Sequence, residues 1–293
     1  MQRRPWAVAV VVAVSLGLAL GLVARVRHHA RTGKWSGGTW LTEAWSDDEE
    51  ADADVESRHD IPDAATVAWC ADGLEPIPGA GCFLAPATPQ RFAAPFPLLI
   101  YLHGIFDPAG ASDELSRQSR LAERATARGF AVLALRGHVG QCTAPEYAAR
   151  VCWPSNERNE DAGPAYVEEW RTPLAIARQR GASGRRYVLG FSNGGYFAGL
   201  LAERGWFDAE AFAVARAGPV EPVRASGRRV PMLLTLSDGD LSHDEMVKLD
   251  EELDRDEWPH ERFLTHGGHA LPDGDIDAAL EFFARHEQAA RAR

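Results

Sequence analysis

The sequence predicts an α/β fold: a mostly parallel central sheet flanked by helices on both faces. Short, continuous apolar runs such as Leu98-Leu99-Ile100-Tyr101-Leu102 read as strands buried on both sides. They alternate along the chain with amphipathic segments of helical length, the pattern that builds a parallel sheet through crossover connections. The 293 residues are 45% apolar and 25% charged, an ordinary globular balance with enough chain to bury a full core.

The alternation begins at about residue 64. Pro97 to Leu102 is the first core strand, ending at His103-Gly104. Glu114 to Arg128 is a helix pattern with Leu115, Leu121 and Ala125 inward, stopped by Gly129. Phe130 to Leu135 is the next strand, and Pro164 to Arg180 an amphipathic helix whose proline suits the first turn. Arg186 to Gly190 is a strand and Gly195 to Arg204 a helix. Strands follow at Phe212 to Ala217 and Val230 to Leu236, then a helix from about His243 to Leu253 and a strand at Arg262 to Thr265. A helix from Ile276 closes the chain, with Leu280 and Phe283 on its apolar face. No internal repeat interrupts this order, so residues 64–293 are read as one domain.

The preceding residues read differently. Trp6 to Ala24 is uncharged between Arg3-Arg4 and Arg25, Arg27, and as a helix it would span roughly 28 Å, close to a hydrocarbon core. Residues 1–27 are therefore expected to be a membrane anchor or a signal segment, giving the chain a membrane contact at its N-terminus. Residues 28–63 carry the acidic run Asp47 to Glu56 and no periodicity, as in a flexible linker. The basic residues after the apolar segment favour a cytoplasmic domain. The cysteines favour the opposite side, since all four fall in two close pairs, Cys70 with Cys82 and Cys142 with Cys152, that suit short disulfide loops. We take the cysteines as deciding: membrane-anchored or secreted, with the folded domain outside the cytoplasm. The formal charge of −11 argues against nucleic acid as a partner, because phosphate binding needs clustered Lys and Arg.

The chemistry centres on Gly190-Phe191-Ser192-Asn193-Gly194, a G-x-S-x-G pattern. Alone it is weak. Here a strand precedes it and a helix follows, the context in which a serine is held on a strained turn beside a helix N-terminus. The loop His103-Gly104-Ile105 follows the first core strand, where one oxyanion donor is needed; the second comes from the residue after the nucleophile. Those donors are read as the backbone N–H groups of Ile105, with Gly104 as its alternative, and Asn193. His103 itself reads as a structural loop residue.

The base is expected late in the chain, and His269 stands after Gly267-Gly268 and before Pro272. The acid is expected after the strand ending at Leu236, where Asp240 is preferred and Asp238 is the alternative. The order Ser192, Asp240, His269 is one of the three chain orders in which such a triad is built.

These motifs, with Leu102-His103-Gly104, Ser237-Asp238-Gly239-Asp240 and Gly267-Gly268-His269, resemble the α/β-hydrolase superfamily from about residue 64 to the C-terminus. Within it the chain is most similar to the exported esterase and polyhydroxyalkanoate-depolymerase-like branch. The acid loop departs from many relatives in carrying Ser237 where they have Gly. The resemblance implies hydrolysis of a small-molecule or polymeric ester through an acyl-enzyme, with no cofactor and no metal. An amidase or peptidase with the same three side chains, or a non-catalytic binding domain of the cell envelope, are the competing readings. The stretch 137–163 is long for a connection and is expected to form a disulfide-pinned cap, with Tyr147 or Trp153 facing the substrate.

Overall fold

The computed structural model describes residues 69–87, 95–156, 158–220 and 228–293. The expected anchor, the linker and the first residues of the predicted domain lie outside them. Among the described residues no helix is long and apolar enough to cross a membrane.

Among the described residues there are ten strands and six α-helices. The strands are β1 (Glu75–Ile77), β2 (Gly81–Leu84), β3 (Leu98–Leu102), β4 (Ala131–Leu135), β5 (His138–Val139), β6 (Val151–Cys152), β7 (Arg186–Phe191), β8 (Ala211–Ala215), β9 (Met232–Ser237) and β10 (His260–Thr265). The helices are α1 (Ser112–Ala127), α2 (Gly163–Glu169), α3 (Arg171–Gln179), α4 (Asn193–Glu203), α5 (His243–Arg255) and α6 (Asp273–Arg291).

Eight strands form one sheet in the order β1-β2-β4-β3-β7-β8-β9-β10, and β5 and β6 pair separately as a small antiparallel hairpin. From β4 to β10 all neighbours are parallel, whereas β1–β2 and β2–β4 are antiparallel, so the sheet is mixed. Every residue of β3, β4, β8 and β9 is buried between two helical layers; β3, β4 and β8 are unbroken apolar runs, and the two polar residues of β9, Thr235 and Ser237, donate to Asp275 and to the Gly267 carbonyl. One face packs on α1 and α6 through residues such as Leu121, Ile276 and Phe283. The other packs on α2 to α5 through Tyr166, Trp170, Phe197 and Leu249. The edge strand β10 is mostly exposed or half-buried, and its Leu264 is 71% exposed.

The single helix expected from Pro164 to Arg180 is two helices meeting at Trp170. Pro173 explains the break: it lacks the N–H that would bond to the Glu169 carbonyl, and its ring needs the space that carbonyl would occupy. It is accommodated because it falls in the first turn of α3.

Both disulfides form in the expected pairs, Cys70–Cys82 and Cys142–Cys152, each with Cα atoms 5.3 Å apart. The first ties the segment around Trp69 to β2, and the second closes the β5–β6 hairpin at Cys152.

Candidate active site

The parallel strands run in one direction, so their carboxyl ends share one edge of the sheet, the usual position of a site in an open α/β architecture. The loop His103–Ile105 follows β3, Ser192 follows β7, Asp240 follows β9 and His269 follows β10.

Ser192 links β7 to α4 with φ 53° and ψ −123°, a conformation rare for a residue with a side chain. Three hydrogen bonds hold it there: Ser192 N–H to the Ala215 carbonyl at 2.9 Å, and the Gly195 and Tyr196 N–H groups to its own carbonyl at 2.7 and 3.1 Å. The flanking glycines make this turn sterically feasible. A Cβ on Gly190 would lie 2.1 Å from the Gly194 carbonyl oxygen, and one on Gly194 would lie 2.3 Å from that of Leu102.

The hydroxyl of Ser192 meets a hydrogen-bonded relay. His269 Nε2 is 2.7 Å from Ser192 Oγ, and His269 Nδ1 is 2.9 and 3.1 Å from the two carboxylate oxygens of Asp240. An ionised carboxylate only accepts, so Nδ1 carries the proton and Nε2 offers its lone pair to the serine O–H. Asp240 is fixed by a further bond, since its Oδ1 accepts from Ser242 N–H at 2.8 Å. Its side chain is fully buried, whereas that of His269 is 29% exposed and within reach of solvent. The His269 ring lies against Phe191, centroids 5.4 Å apart.

Asp238 takes a different partner. It accepts a hydrogen bond from His266 Nδ1 at 2.7 Å on the surface, and this contact holds its carboxyl below the usual range. The geometry thus gives Asp240 to His269 and leaves Asp238 outside the relay. Ser237 Oγ donates to the Gly267 carbonyl at 2.6 Å, tying the acid loop to the histidine loop.

The loop that carries Ile105 is built around His103. Its ring is fully buried among Trp69, Phe106 and Trp153. Gly137 N–H donates to Nε2 at 2.9 Å, so Nδ1 bears the proton and donates to the Gly104 carbonyl at 2.5 Å. Burial pulls the ring's pKa down to about 3, with smaller contributions from Arg136 and Arg117 in the same direction, against the raising effect of the Gly104 bond. His103 is therefore neutral, and with its Nε2 lone pair taken by the Gly137 N–H it has none free to act as a base.

Its consequence is geometric. In a trans peptide the N–H points opposite to the C=O, so turning the Gly104 carbonyl toward His103 turns the Ile105 N–H away from it. A Cβ on Gly104 would touch Ser192 Cβ at 3.2 Å, which places this loop directly beside the serine. The second amide, Asn193 N–H, opens α4, where the helix dipole favours negative charge. Among the described residues neither amide donates to a protein acceptor.

Trp153 does not face a substrate, contrary to the sequence expectation. It is fully buried, stacked on Phe197 with centroids 5.6 Å apart. Its Nε1–H donates to the His103 carbonyl at 3.0 Å and its backbone N–H to Asn193 Oδ1 at 2.7 Å. Asn193 Nδ2 in turn donates to Ser155 Oγ. Trp153 thus clamps together the two segments that carry the candidate oxyanion amides. A large aromatic was legible in a polar stretch, but the direction of its side chain was not. Tyr147 is 36% exposed, with the Arg150 guanidinium 5.2 Å from its ring centre. Among the described residues no hydrogen bond or ring contact joins it to Ser192 or His269.

Sequence reading missed Arg216 altogether. It follows the apolar strand β8, is 1% exposed, and has a left-handed φ of 57°. An arginine inside Ala213-Val214-Ala215-Arg216-Ala217 was the available signal.

Metal-type side chains converge, among the described residues, at Asp250, Asp254 and His260, whose ligand atoms lie within 4.8 Å of one another. These stand at the opposite end of β10 from His269. They are already engaged: His260 Nε2 faces Asp250 at 3.0 Å, His260 Nδ1 faces the Trp258 carbonyl at 2.8 Å, and Arg262 pairs with Asp250 at 2.9 Å.

With this geometry established, comparison with solved structures places the architecture. A carboxylesterase from Bacillus cereus superposes with a TM-score of 0.53 at 17% identity, over 70% of this chain and 93% of that one. The Arabidopsis thaliana protein SOBER1 gives 0.52 at 13% identity, over 65% and 98%. YahD, solved with malic acid, gives 0.51 at 13% identity, over 70% and 98%. The fold is that of the α/β hydrolases. No protein-family model matches the sequence, and no curated protein matches it by sequence.

Proposed function

We propose that this protein is a serine hydrolase that cleaves carboxylic esters through an acyl-enzyme. The observation that carries the reading is the unbroken contact from Ser192 Oγ through His269 to the buried Asp240, built on a serine held in a strained backbone turn. His269 Nε2 takes the hydroxyl proton as Ser192 Oγ attacks the ester carbonyl. Asp240 keeps the ring in the tautomer that leaves Nε2 free and stabilises the imidazolium as it forms. The amides of Ile105 and Asn193 receive the developing oxyanion. His269 then returns the proton to the departing alcohol, and water releases the acyl group by the same steps in reverse order of roles.

The two disulfides support a location outside the reducing cytoplasm. An N-terminal anchor or signal segment (1–27), a linker (28–63) and an exported catalytic domain (64–293) complete the proposed layout. The motifs favour the exported esterase and polyhydroxyalkanoate-depolymerase-like branch.

A fluorophosphonate probe tests the reading. Labelling of the wild type and not of Ser192→Ala is expected, together with turnover of p-nitrophenyl esters faster than of peptide anilides. Anilide turnover in excess of ester turnover would favour the amidase reading, and absence of labelling would refute the hydrolase.

A further inference from the structure

Beneath the acid of the relay lies a second, fully buried charge cluster that the proposed reaction does not use directly. Arg216 leaves the end of β8 with its side chain directed inward. Its Nε and Nη2 each lie 2.9 Å from Asp275 Oδ2, and its Nη2 donates to Thr265 Oγ1 at 2.7 Å. Thr235 Oγ1 donates to the same Asp275 oxygen at 2.9 Å. The remaining nitrogen, Nη1, is buried without a hydrogen-bond partner and stands 4.0 Å from Asp240 Oδ2. Arg216, Asp240 and Asp275 have side chains that are 1%, 0% and 0% exposed.

Three features separate this arrangement from a routine ion pair. A guanidinium is fully buried where a strand of Ala, Phe and Val ends, at the cost of dehydrating it. Its backbone holds a left-handed φ, and its N–H reaches the Thr235 carbonyl at 3.3 Å. Such strain persists only where the surroundings over-determine it and tends to cluster at functional sites. Finally, one donor is left without a partner and lies near the relay carboxylate, although Asp275 alone would satisfy a simple pair.

We infer that Arg216 is a positioning residue for the relay, its guanidinium shared between Asp275 and Asp240 so that the Asp240 carboxylate is held against His269 beside a compensating charge. The inference rests on the serine-hydrolase reading above. With Asp240 on the imidazole and Asp275 behind it, two buried carboxylates without a counter-charge would favour the imidazolium. One buried guanidinium offsets one of those charges, leaving a net charge of −1 that a proton on His269 neutralises only when the reaction calls for it. The opposing influences are visible at Asp275: burial raises its carboxyl and the charge of Asp240 adds to this, while Arg216 and Thr235 oppose it.

The other charged groups around His269 belong to separate pairs. Asp238 and His266 pair with each other on the surface, and His243 Nδ1 faces the Ser237 carbonyl. Arg117 stands 5.3 Å from the Phe191 ring centre and is paired with Glu114.

The test compares Arg216→Met, Arg216→Lys and Asp275→Asn. Two readouts are taken: the pH profile of kcat/KM for a p-nitrophenyl ester, and the NMR titration of the His269 ring. Removing a positive charge favours the imidazolium, so Arg216→Met should move the acid limb and the ring titration to higher pH by about one unit, a tenfold rate loss on the limb. Removing a negative charge does the reverse, so Asp275→Asn should move both to lower pH. Arg216→Lys keeps the charge without the fork and should restore the limb to within a few tenths of a unit of wild type, with a lower plateau. If Arg216→Met fails to fold, the other two variants still carry distinct expectations, an unmoved limb for Arg216→Lys and a lowered one for Asp275→Asn. Unmoved limbs and unmoved titrations in all folded variants would overturn the inference. A wild-type rate equal to that of Ser192→Ala would instead overturn the hydrolase reading, and the NMR titration would still decide the role of Arg216.

Discussion

Replacing Gly194 by alanine perturbs the site through a single methyl group. The added Cβ would lie 2.3 Å from the Leu102 carbonyl oxygen and 2.4 Å from that of His103, both backbone atoms at the end of β3. A carbon and a carbonyl oxygen normally approach to about 3.3 Å. The start of α4 and the loop after β3 must therefore separate by about 1 Å, and these two segments carry the Asn193 and Ile105 amides proposed to receive the oxyanion. A misplacement of that size costs on the order of a hundredfold in rate, or about 2.7 kcal/mol of transition-state stabilisation. Overpacking adds about 1–3 kcal/mol of destabilisation. Gly199→Ala is the control in the same helix: its Cβ would meet only Glu203 Oε1 at 3.6 Å, an ordinary contact, and helix propensity would add about 0.5–1 kcal/mol of stability. The assay is kcat/KM for a p-nitrophenyl ester beside urea unfolding of both variants. A Gly194→Ala enzyme within threefold of wild type would refute the claim that close approach of these two segments sets the site.

Asp240→Asn should lower kcat by about ten-thousandfold through the wrong imidazole tautomer, while Asp238→Asn on the surface should change kcat/KM by less than about threefold; steady-state kinetics of the pair decides which acid serves His269. Removing Cys142–Cys152, which closes a loop of sequence separation 10, should cost up to about 3 kcal/mol in urea unfolding. It should also lower esterase activity by loosening Trp153 from Asn193, and a double alanine variant with wild-type stability and rate would contradict this. Burial raises the Glu203 carboxyl to about 8, helped by Glu252, Glu160 and Asp256 and opposed by Arg204. The unfolded chain ionises this group near pH 4.5 and the folded one only near 8, so it contributes nothing unfavourable below pH 4.5 and progressively destabilises the fold as pH rises to about 8. Glu203→Gln should therefore match wild type near pH 4 and exceed it by a few kcal/mol above pH 8 in pH-dependent thermal unfolding.

The parallel part of the sheet was readable because strands buried on both faces are predominantly apolar, and β3, β4 and β8 are unbroken apolar runs. The antiparallel edge was not. β1 and β2 are three and four residues long, too short for a period, and their pairing depends on β4 and on the Cys70–Cys82 bridge. The positions of Ser192, His269 and Asp240 were legible because each lies at a strand end in a motif with fixed spacing. The choice between two aspartates two residues apart was a matter of loop path, which only the contacts of Ser237, Ser242 and His266 define. Trp153 and His103 were visible as residue types. Their inward direction depends on the β5–β6 hairpin, whose strands have two residues each and no readable pattern. Arg216 was hidden for the opposite reason: a single charge in an apolar run carries no periodic signal, and its partners are 59 and 24 residues away.

Intact-protein mass spectrometry after mixing the full chain with a slowly hydrolysed p-nitrophenyl ester tests the central claim most directly. A single added acyl group that maps to Ser192, and is absent from Ser192→Ala, is the expected result. An acyl group on any other residue, or hydrolysis that survives loss of the Ser192 hydroxyl, would contradict it.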